Sequence, residues 1–256
     1  MKKLNISALF AIGFITMMTL PPKGFAATGL DIVASSSKVN AVNSEQLKEY
    51  VALALDKFEQ TPRKNWQFTV NRYENEEGEI TSSTERYTPS DISKERWTLI
   101  RSNDQAPTKK QQQEFQKKKL KAEQRKESGN NFSAALREII NIDSLSFASE
   151  NAEHILMHFD VYLKKLGDDA KGKLRGTLTF NKNQRFIERM VIENTQEFSP
   201  VFSANIAEFK LSFDFININE HILPQQQDMQ MKGSFAIFTE IDEVSTDSFS
   251  DYQLKL

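Results

Sequence analysis

The chain has 256 residues, a formal net charge of −2 and 39% hydrophobic residues, a composition that fits a globular protein with one substantial core. The absence of cysteine excludes disulfides, thiol catalysis and a membrane anchor on a lipid-modified cysteine. The slight excess of acidic residues argues against a general nucleic-acid-binding protein.

Residues 1–26 have the features of a signal peptide. Lys2 and Lys3 precede an apolar run, and small residues follow it, so cleavage is expected near Ala26 or Ala27. The apolar run is shorter than the roughly 20 residues of a membrane-spanning helix, which makes an uncleaved anchor the less favoured alternative. The sequence therefore predicts a soluble, exported protein of the bacterial periplasm, not an integral membrane protein, with a single domain over residues 27–256. We expect it to be a monomer.

The first structural element is predicted to be an amphipathic helix. Asn43 can cap its start, and Thr61 before Pro62 marks its end. Apolar residues recur between them at three- and four-residue spacing, as on one face of a helix. They are Leu47, Tyr50, Val51, Ala54, Leu55 and Phe58.

Three strands are predicted next. Trp66, Phe68 and Val70 alternate with polar residues, a polar strand returns through residues 84–87, and residues 97–100 form the third. Trp66 and Trp97 fall on these strands, where large aromatic side chains contribute either core packing or a stacking surface for a ligand.

Residues 108–127 form a basic segment of different composition, with eight Lys/Arg and three Asp/Glu from Lys109 onward. Helix-forming residues fill it, but it has too few apolar residues for a wide buried face. One interpretation is a solvated helix or a mobile insertion. The other is a basic lid or docking arm for an anionic partner. Its docking residues would be Lys109, Lys110, Lys117, Lys118, Lys119, Lys121, Arg125 and Lys126.

The rest of the chain is dominated by strands. A short helix is predicted over residues 132–140, alternation then recurs from residue 145 onward, and it is clearest in residues 205–218. Pro224 is predicted to start the strand that follows. The pattern predicts an α+β fold: a curved, mostly antiparallel sheet of roughly ten strands, an incomplete β-barrel, packed on the first helix and the inserted helices.

No sequence motif nominates a catalyst or a cofactor. The chain contains no glycine-rich phosphate loop, nucleophile elbow or zinc-binding helix motif. His154, His158 and Asp160 share one face of a predicted strand, but 154 and 158 lie about 13 Å apart along it, too far for one metal ion. We therefore predict a non-catalytic protein without a metal site or cofactor.

The sequence is rich in phenylalanine, with 19 residues, and methionine recurs within the strand pattern. Such flexible and aromatic side chains fill an ordinary core, but they also line cavities for hydrophobic ligands. The candidate ligand-binding residues are Phe209, Leu211, Phe213, Phe215, Met229, Met231, Trp66 and Trp97.

The order of these elements resembles that of the periplasmic lipoprotein carriers of the LolA/LolB type. The likeness rests on the amphipathic first helix, the strand pattern of residues 66–70 and the strand pattern of residues 209–215. The resemblance implies a hollow, curved sheet that is capped by helices and shelters acyl chains. We therefore expect a protein that binds a lipid or an acylated lipoprotein, with a membrane protein of the envelope as a further partner. The alternative is a ligand-free envelope domain that acts through protein contacts.

Overall fold

A computed structural model describes residues 43–127, 136–163, 166–236 and 239–255. The predicted signal peptide lies outside the described residues, as do residues 132–135 of the short helix predicted over residues 132–140. The rest of that prediction contains a helix, at Leu136–Ile139. Within the described ranges, no helix combines the length and the apolar character needed to cross a bilayer.

The helices are α1 (Ser44–Gln60), α2 (Lys109–Glu127) and α3 (Leu136–Ile139). The strands are β1 (Trp66–Glu76), β2 (Glu79–Tyr87), β3 (Trp97–Ser102), β4 (Ser146–Glu150), β5 (His154–Asp160), β6 (Leu174–Asn181), β7 (Phe186–Asn194), β8 (Ala204–Ile218), β9 (His221–Phe235) and β10 (Thr239–Leu254).

The ten strands form one open, curved antiparallel sheet in the order β3-β2-β1-β10-β9-β8-β7-β6-β5-β4. Strands that follow one another in the chain are neighbours in the sheet, except β3 and β4, and the first strand, β1, pairs with the last, β10. The predicted α+β fold and the number of strands are confirmed. In the described chain, β3 and β4 are the free edges of the sheet.

Helix α1 forms where it was predicted and for the predicted reason. The Asn43 side chain accepts a hydrogen bond from the Gln46 backbone N–H and caps the first turn. The apolar stripe faces the sheet, where α1 packs chiefly on β7 and β9. Its buried residues are Leu47, Val51, Ala54, Leu55 and Phe58.

Strand β9 begins earlier than predicted. It starts at His221, and Pro224 lies inside it, opposite Phe215 of β8. Proline cannot donate a ladder hydrogen bond, and the pairing register shifts between Asp214 and Phe215. This irregularity lets the strand accommodate the proline, so the prediction that Pro224 starts the strand was wrong.

The apolar interior is divided into two clusters. The larger cluster lies between α1 and the sheet and extends over β5 to β10. The smaller cluster is built on β1, β2, β3 and β10 from Val70, Tyr87, Trp97 and Phe249. Helix α2 covers the smaller cluster, to which it contributes Phe115.

Candidate functional site

A groove with a volume of about 930 Å³ runs along the edge of the sheet between β3 and α2. We call it the α2–β3 groove. It is lined by Thr98, Leu99, Lys109, Gln112, Gln113, Phe115, Gln116, Lys117, Leu120, Lys121 and Gln124. The side chains of Thr98 and Leu99 point to opposite faces of the sheet, because they are neighbours on one strand. Since both line the groove, it follows the free edge of β3.

Hydrogen bonds fix the start of α2 beside the strand. Thr108 and Gln111 form a capping box, in which Gln111 N–H donates to Thr108 Oγ1 at 3.2 Å and Thr108 N–H donates to Gln111 Oε1 at 2.8 Å. The Gln111 amide also donates to Ser102 Oγ of β3 at 3.1 Å. One turn later, the Gln116 side chain donates to the Trp97 carbonyl. These bonds hold one side of α2 against β3 and leave the adjacent side to form the groove wall.

The groove has an apolar base and a basic rim. Leu99 is only 8% exposed and lies at the base with the half-buried Phe115 and Leu120. Lys109, Lys117 and Lys121 are exposed along the rim. An apolar base beside three ammonium groups suits a ligand that has a hydrocarbon part and a negative charge.

A chain of buried charges anchors α2 to the sheet. Lys119 Nζ lies 2.6 Å from Glu85 Oε2 on β2, and Arg72 Nε on β1 lies 3.0 Å from Glu85 Oε1. Arg72 also pairs with Asp247 on β10. The Lys119 ammonium sits 4.0 Å from the centre of a Trp97 ring. The four charged groups thus join three strands to the helix.

Burial and the neighbouring charges together set the protonation of these four groups. Burial lowers the pKa of Lys119 to about 8, against the opposing attraction of Glu85. Burial raises the pKa of Asp247 to about 6, although the positive charge of Arg72 lowers it. Burial alone would raise the pKa of Glu85, but Arg72 and Lys119 hold it below its ordinary value. Glu85 is therefore a carboxylate shared by two cations at neutral pH.

The structure separates the two tryptophans that were predicted to contact a ligand. Trp97 packs edge to face with Phe68 at 5.9 Å in the smaller cluster, directly under α2. Trp66 packs instead against His221 and Tyr252, at 5.5 and 6.2 Å between ring centres. Trp97 lies close to the groove, whereas Trp66 contacts the smaller cluster through Tyr252 and does not line the groove.

The other candidate ligand-binding residues lie in the larger cluster. Phe209, Leu211, Phe213, Phe215 and Met231 are all at most 4% exposed, and Met229 packs against them. Phe215 meets Phe58 of α1 edge to face at 5.2 Å. In this conformation a ligand could reach these side chains only by displacing α1, so their role in binding stays a prediction.

The basic segment has three kinds of lysine that the sequence did not distinguish. Lys109, Lys117 and Lys121 line the groove, while Lys110 and Lys118 are exposed elsewhere on the helix. Lys119 forms the ion pair with Glu85. The side chains of Arg125 and Lys126 lie outside the described part of the structure. Residues 109–127 are helical, and the side that carries Phe115 and Lys119 is packed on the sheet, so the helix is not solvated all round.

Several groove residues were not predicted: Thr98, Leu99, Phe115, Leu120 and the four glutamines. One signal was available, because the Thr108-to-Gln111 spacing is that of a capping box and locates the start of α2. The glutamines 112, 113, 116 and 124 recur at helical spacing, but such a pattern does not show which surface lies opposite.

The histidines of β5 have separate partners. His154 Nε2 lies 2.9 Å from Glu188, and His158 Nδ1 lies 3.1 Å from Thr177 Oγ1. Among the described residues, no group of three or more His, Asp or Glu side chains is placed to hold a metal ion.

No protein-family model and no curated protein sequence matches the chain. Two solved structures are similar to it in outline. One is a DUF1329 family protein from Desulfovibrio piger, with a TM-score of 0.35, 8% identity, and coverage of 83% of this chain and 93% of that chain. The other is a domain described as an outer membrane lipoprotein-sorting protein from Vibrio parahaemolyticus, with a TM-score of 0.39, 10% identity, and coverage of 82% and 93%. Similarity at this level assigns the chain to neither family.

Proposed function

We propose that this is a periplasmic, non-catalytic binding protein for an anionic molecule that carries a hydrocarbon chain, such as a lipid or an acylated protein. The observation that supports the proposal is the α2–β3 groove, which combines an apolar base with a lysine rim. Its volume of about 930 Å³ lies within the range of roughly 300–1,000 Å³ that small-molecule sites occupy.

The charge distribution supports an anionic ligand. The chain as a whole has a formal charge of −2, whereas α2 carries eight basic and three acidic residues. A local positive field on a mildly acidic protein attracts anions to that surface and repels them elsewhere. Lys109, Lys117 and Lys121 project this field into the groove, and none of the three has a carboxylate partner among the described salt bridges.

The packing of α2 supports a preformed site. The helix is held by its capping box, by Gln116 and by the buried Lys119–Glu85 pair, so the groove exists before a ligand arrives. A preformed site avoids the entropic cost of ordering the protein on binding.

The test is binding of a fluorescent fatty acid, together with native mass spectrometry of protein purified from the periplasm. The variant Lys117→Glu/Lys121→Glu should bind about tenfold more weakly, because two favourable charges become repulsive. Lys110→Glu/Lys118→Glu is the matched control, since it changes the helix charge equally without altering the groove lining. Equal losses of affinity in both variants would show that the net charge of α2, and not the groove, attracts the probe. A wild-type protein that binds no acyl probe would refute the proposal.

A second candidate is the envelope protein-interaction domain, and one exposed side chain favours it. Phe202, in the turn between β7 and β8, is fully exposed. The turn is braced on both sides, by Ser199 N–H donating to Asp169 at 2.7 Å and by Ala236 N–H donating to the Ser203 carbonyl at 2.7 Å. A rigidly presented phenylalanine suits a protein contact. Phe202→Ser should abolish photo-cross-linking to an envelope partner and leave fatty-acid binding unchanged.

A further inference from the structure

The backbone groups of β3 alternate between its partner strand and its free edge. The N–H of Thr88, the residue after β2, donates to the Arg96 carbonyl at 2.7 Å, so the backbone carbonyl of Arg96 points toward β2. In an antiparallel pair this direction reverses at each residue. The pairing keeps its register from Trp97 opposite Tyr87 to Leu99 opposite Glu85 and shifts only beyond Leu99. The backbone groups of Trp97 and Leu99 therefore point away from β2.

Most of this free edge is already occupied by the chain itself. Gln116 of α2 donates to the Trp97 carbonyl, and Ser102 N–H donates to the Gln105 carbonyl at 3.0 Å. Such caps protect an edge strand from pairing with other chains. Leu99 lies between the two capped positions, and it is also the residue of this edge whose side chain forms the base of the groove.

Among the residues that the structure describes, no group caps the edge-facing N–H and C=O of Leu99. Such an edge residue matches one extended residue of a partner, which offers an N–H and a C=O in return. A free fatty acid or an ester lipid has no N–H to donate. An N-acylated amino-acid residue has one, and its acyl chain and carboxylate would follow the apolar base and the lysine rim.

Resting on the proposed function, we propose that Leu99 pairs through two backbone hydrogen bonds with an N-acylated amino-acid residue of the ligand. The acyl chain lies against Leu99, Phe115 and Leu120, and the negative charge lies beside Lys117 and Lys121. The groove therefore selects N-acyl amino acids over free fatty acids.

The test compares three probes of similar length and equal charge: N-palmitoylglycine, N-palmitoylsarcosine and palmitate. Sarcosine differs from glycine only by an N-methyl group, which removes the donor. N-palmitoylglycine should bind about tenfold more tightly than either of the others, as expected for the loss of one hydrogen bond to a partially buried acceptor. Equal affinities for the glycine and sarcosine probes would overturn the inference and leave the proposed function standing. Binding of none of the three would refute the proposed function itself.

A protein variant provides a second test. Leu99→Pro removes the N–H that faces the groove without removing a bond of the β2–β3 ladder, and proline is tolerated at such edge positions. It should abolish the preference for N-palmitoylglycine over palmitate, whereas Leu99→Val, which keeps the N–H, should retain it. A preserved preference in a folded Leu99→Pro protein would overturn the inference, and the comparison of the three probes on the wild type decides the matter if this variant does not fold.

Discussion

Glu85→Gln should be one of the most destabilising conservative substitutions in the chain. Glu85 is 5% exposed and shares its carboxylate between Arg72 at 3.0 Å and Lys119 at 2.6 Å. The variant leaves Arg72 with Asp247 but leaves Lys119 buried beside a second cation without a counter-charge. Removing one partner of a buried ion pair costs about 3–5 kcal/mol, a large part of the roughly 5–15 kcal/mol by which a domain is stable.

Urea denaturation at pH 7, followed by circular dichroism, measures this cost. Glu79→Gln, on the same strand but exposed, is the control and should change the free energy of unfolding by less than about 0.5 kcal/mol. Lys119→Met added to Glu85→Gln should restore at least about 2 kcal/mol, because it removes the unpaired cation and keeps the apolar stem.

The pH dependence gives a second reading of the same residues. The pKa of Lys119 is lowered to about 8 in the folded chain, so between pH 8 and 10.5 the unfolded chain holds a proton that the folded chain has lost, and stability rises with pH. Loss of Glu85 lowers the pKa of Lys119 further, so the variant gains stability relative to the wild type as the pH rises toward 8. The defect of Glu85→Gln should shrink over that range and stay constant above it. A loss below about 1 kcal/mol at pH 7, or no rescue by Lys119→Met, would refute the view that α2 is anchored by shared charge.

Three further predictions concern other parts of the fold. Burial and neighbouring acidic residues raise the pKa of Glu243 to about 7, so the folded chain holds a proton between pH 4.5 and 7 that the unfolded chain lacks, and stability falls as the pH rises through this range. Glu243→Gln should therefore increase the free energy of unfolding by about 1 kcal/mol at pH 8 after allowance for solvent screening. Thermal unfolding at pH 5 and pH 8 measures this gain, which the exposed control Asp242→Asn should not show. Gly233→Ala should cost about 2–3 kcal/mol in urea denaturation, because the added carbon would overlap the Asn205 carbonyl of β8 and force the backbone to move; a loss under 0.5 kcal/mol would contradict the close approach of the two strands. Thr108→Ala should destabilise α2 by about 1 kcal/mol through loss of its cap, measured as faster hydrogen exchange in the first turn of the helix, and unchanged exchange there would count against the capping box.

Local periodicity was sufficient to predict the elements. The alternation of residues 205–218 and the helical stripe of residues 47–58 mark which side of each element is buried, because side-chain direction repeats every two residues in a strand and about every 3.6 in a helix. Where the pattern failed, at Pro224, the cause was the register of a neighbouring strand, which a local pattern does not contain.

The sequence alone therefore determined the element types, their buried faces and the antiparallel sheet. Only the tertiary structure decided that α1 fills the side of the sheet lined by Phe209 and Phe213, and that the basic segment folds over Trp97 through Lys119 and Glu85. Both outcomes depend on contacts between residues far apart in the chain. The sequence pattern of an apolar stripe is the same whether the stripe packs against a helix or binds a ligand. A lysine likewise has the same identity whether it contacts water or a buried carboxylate. Only the position of the opposite surface distinguishes these cases.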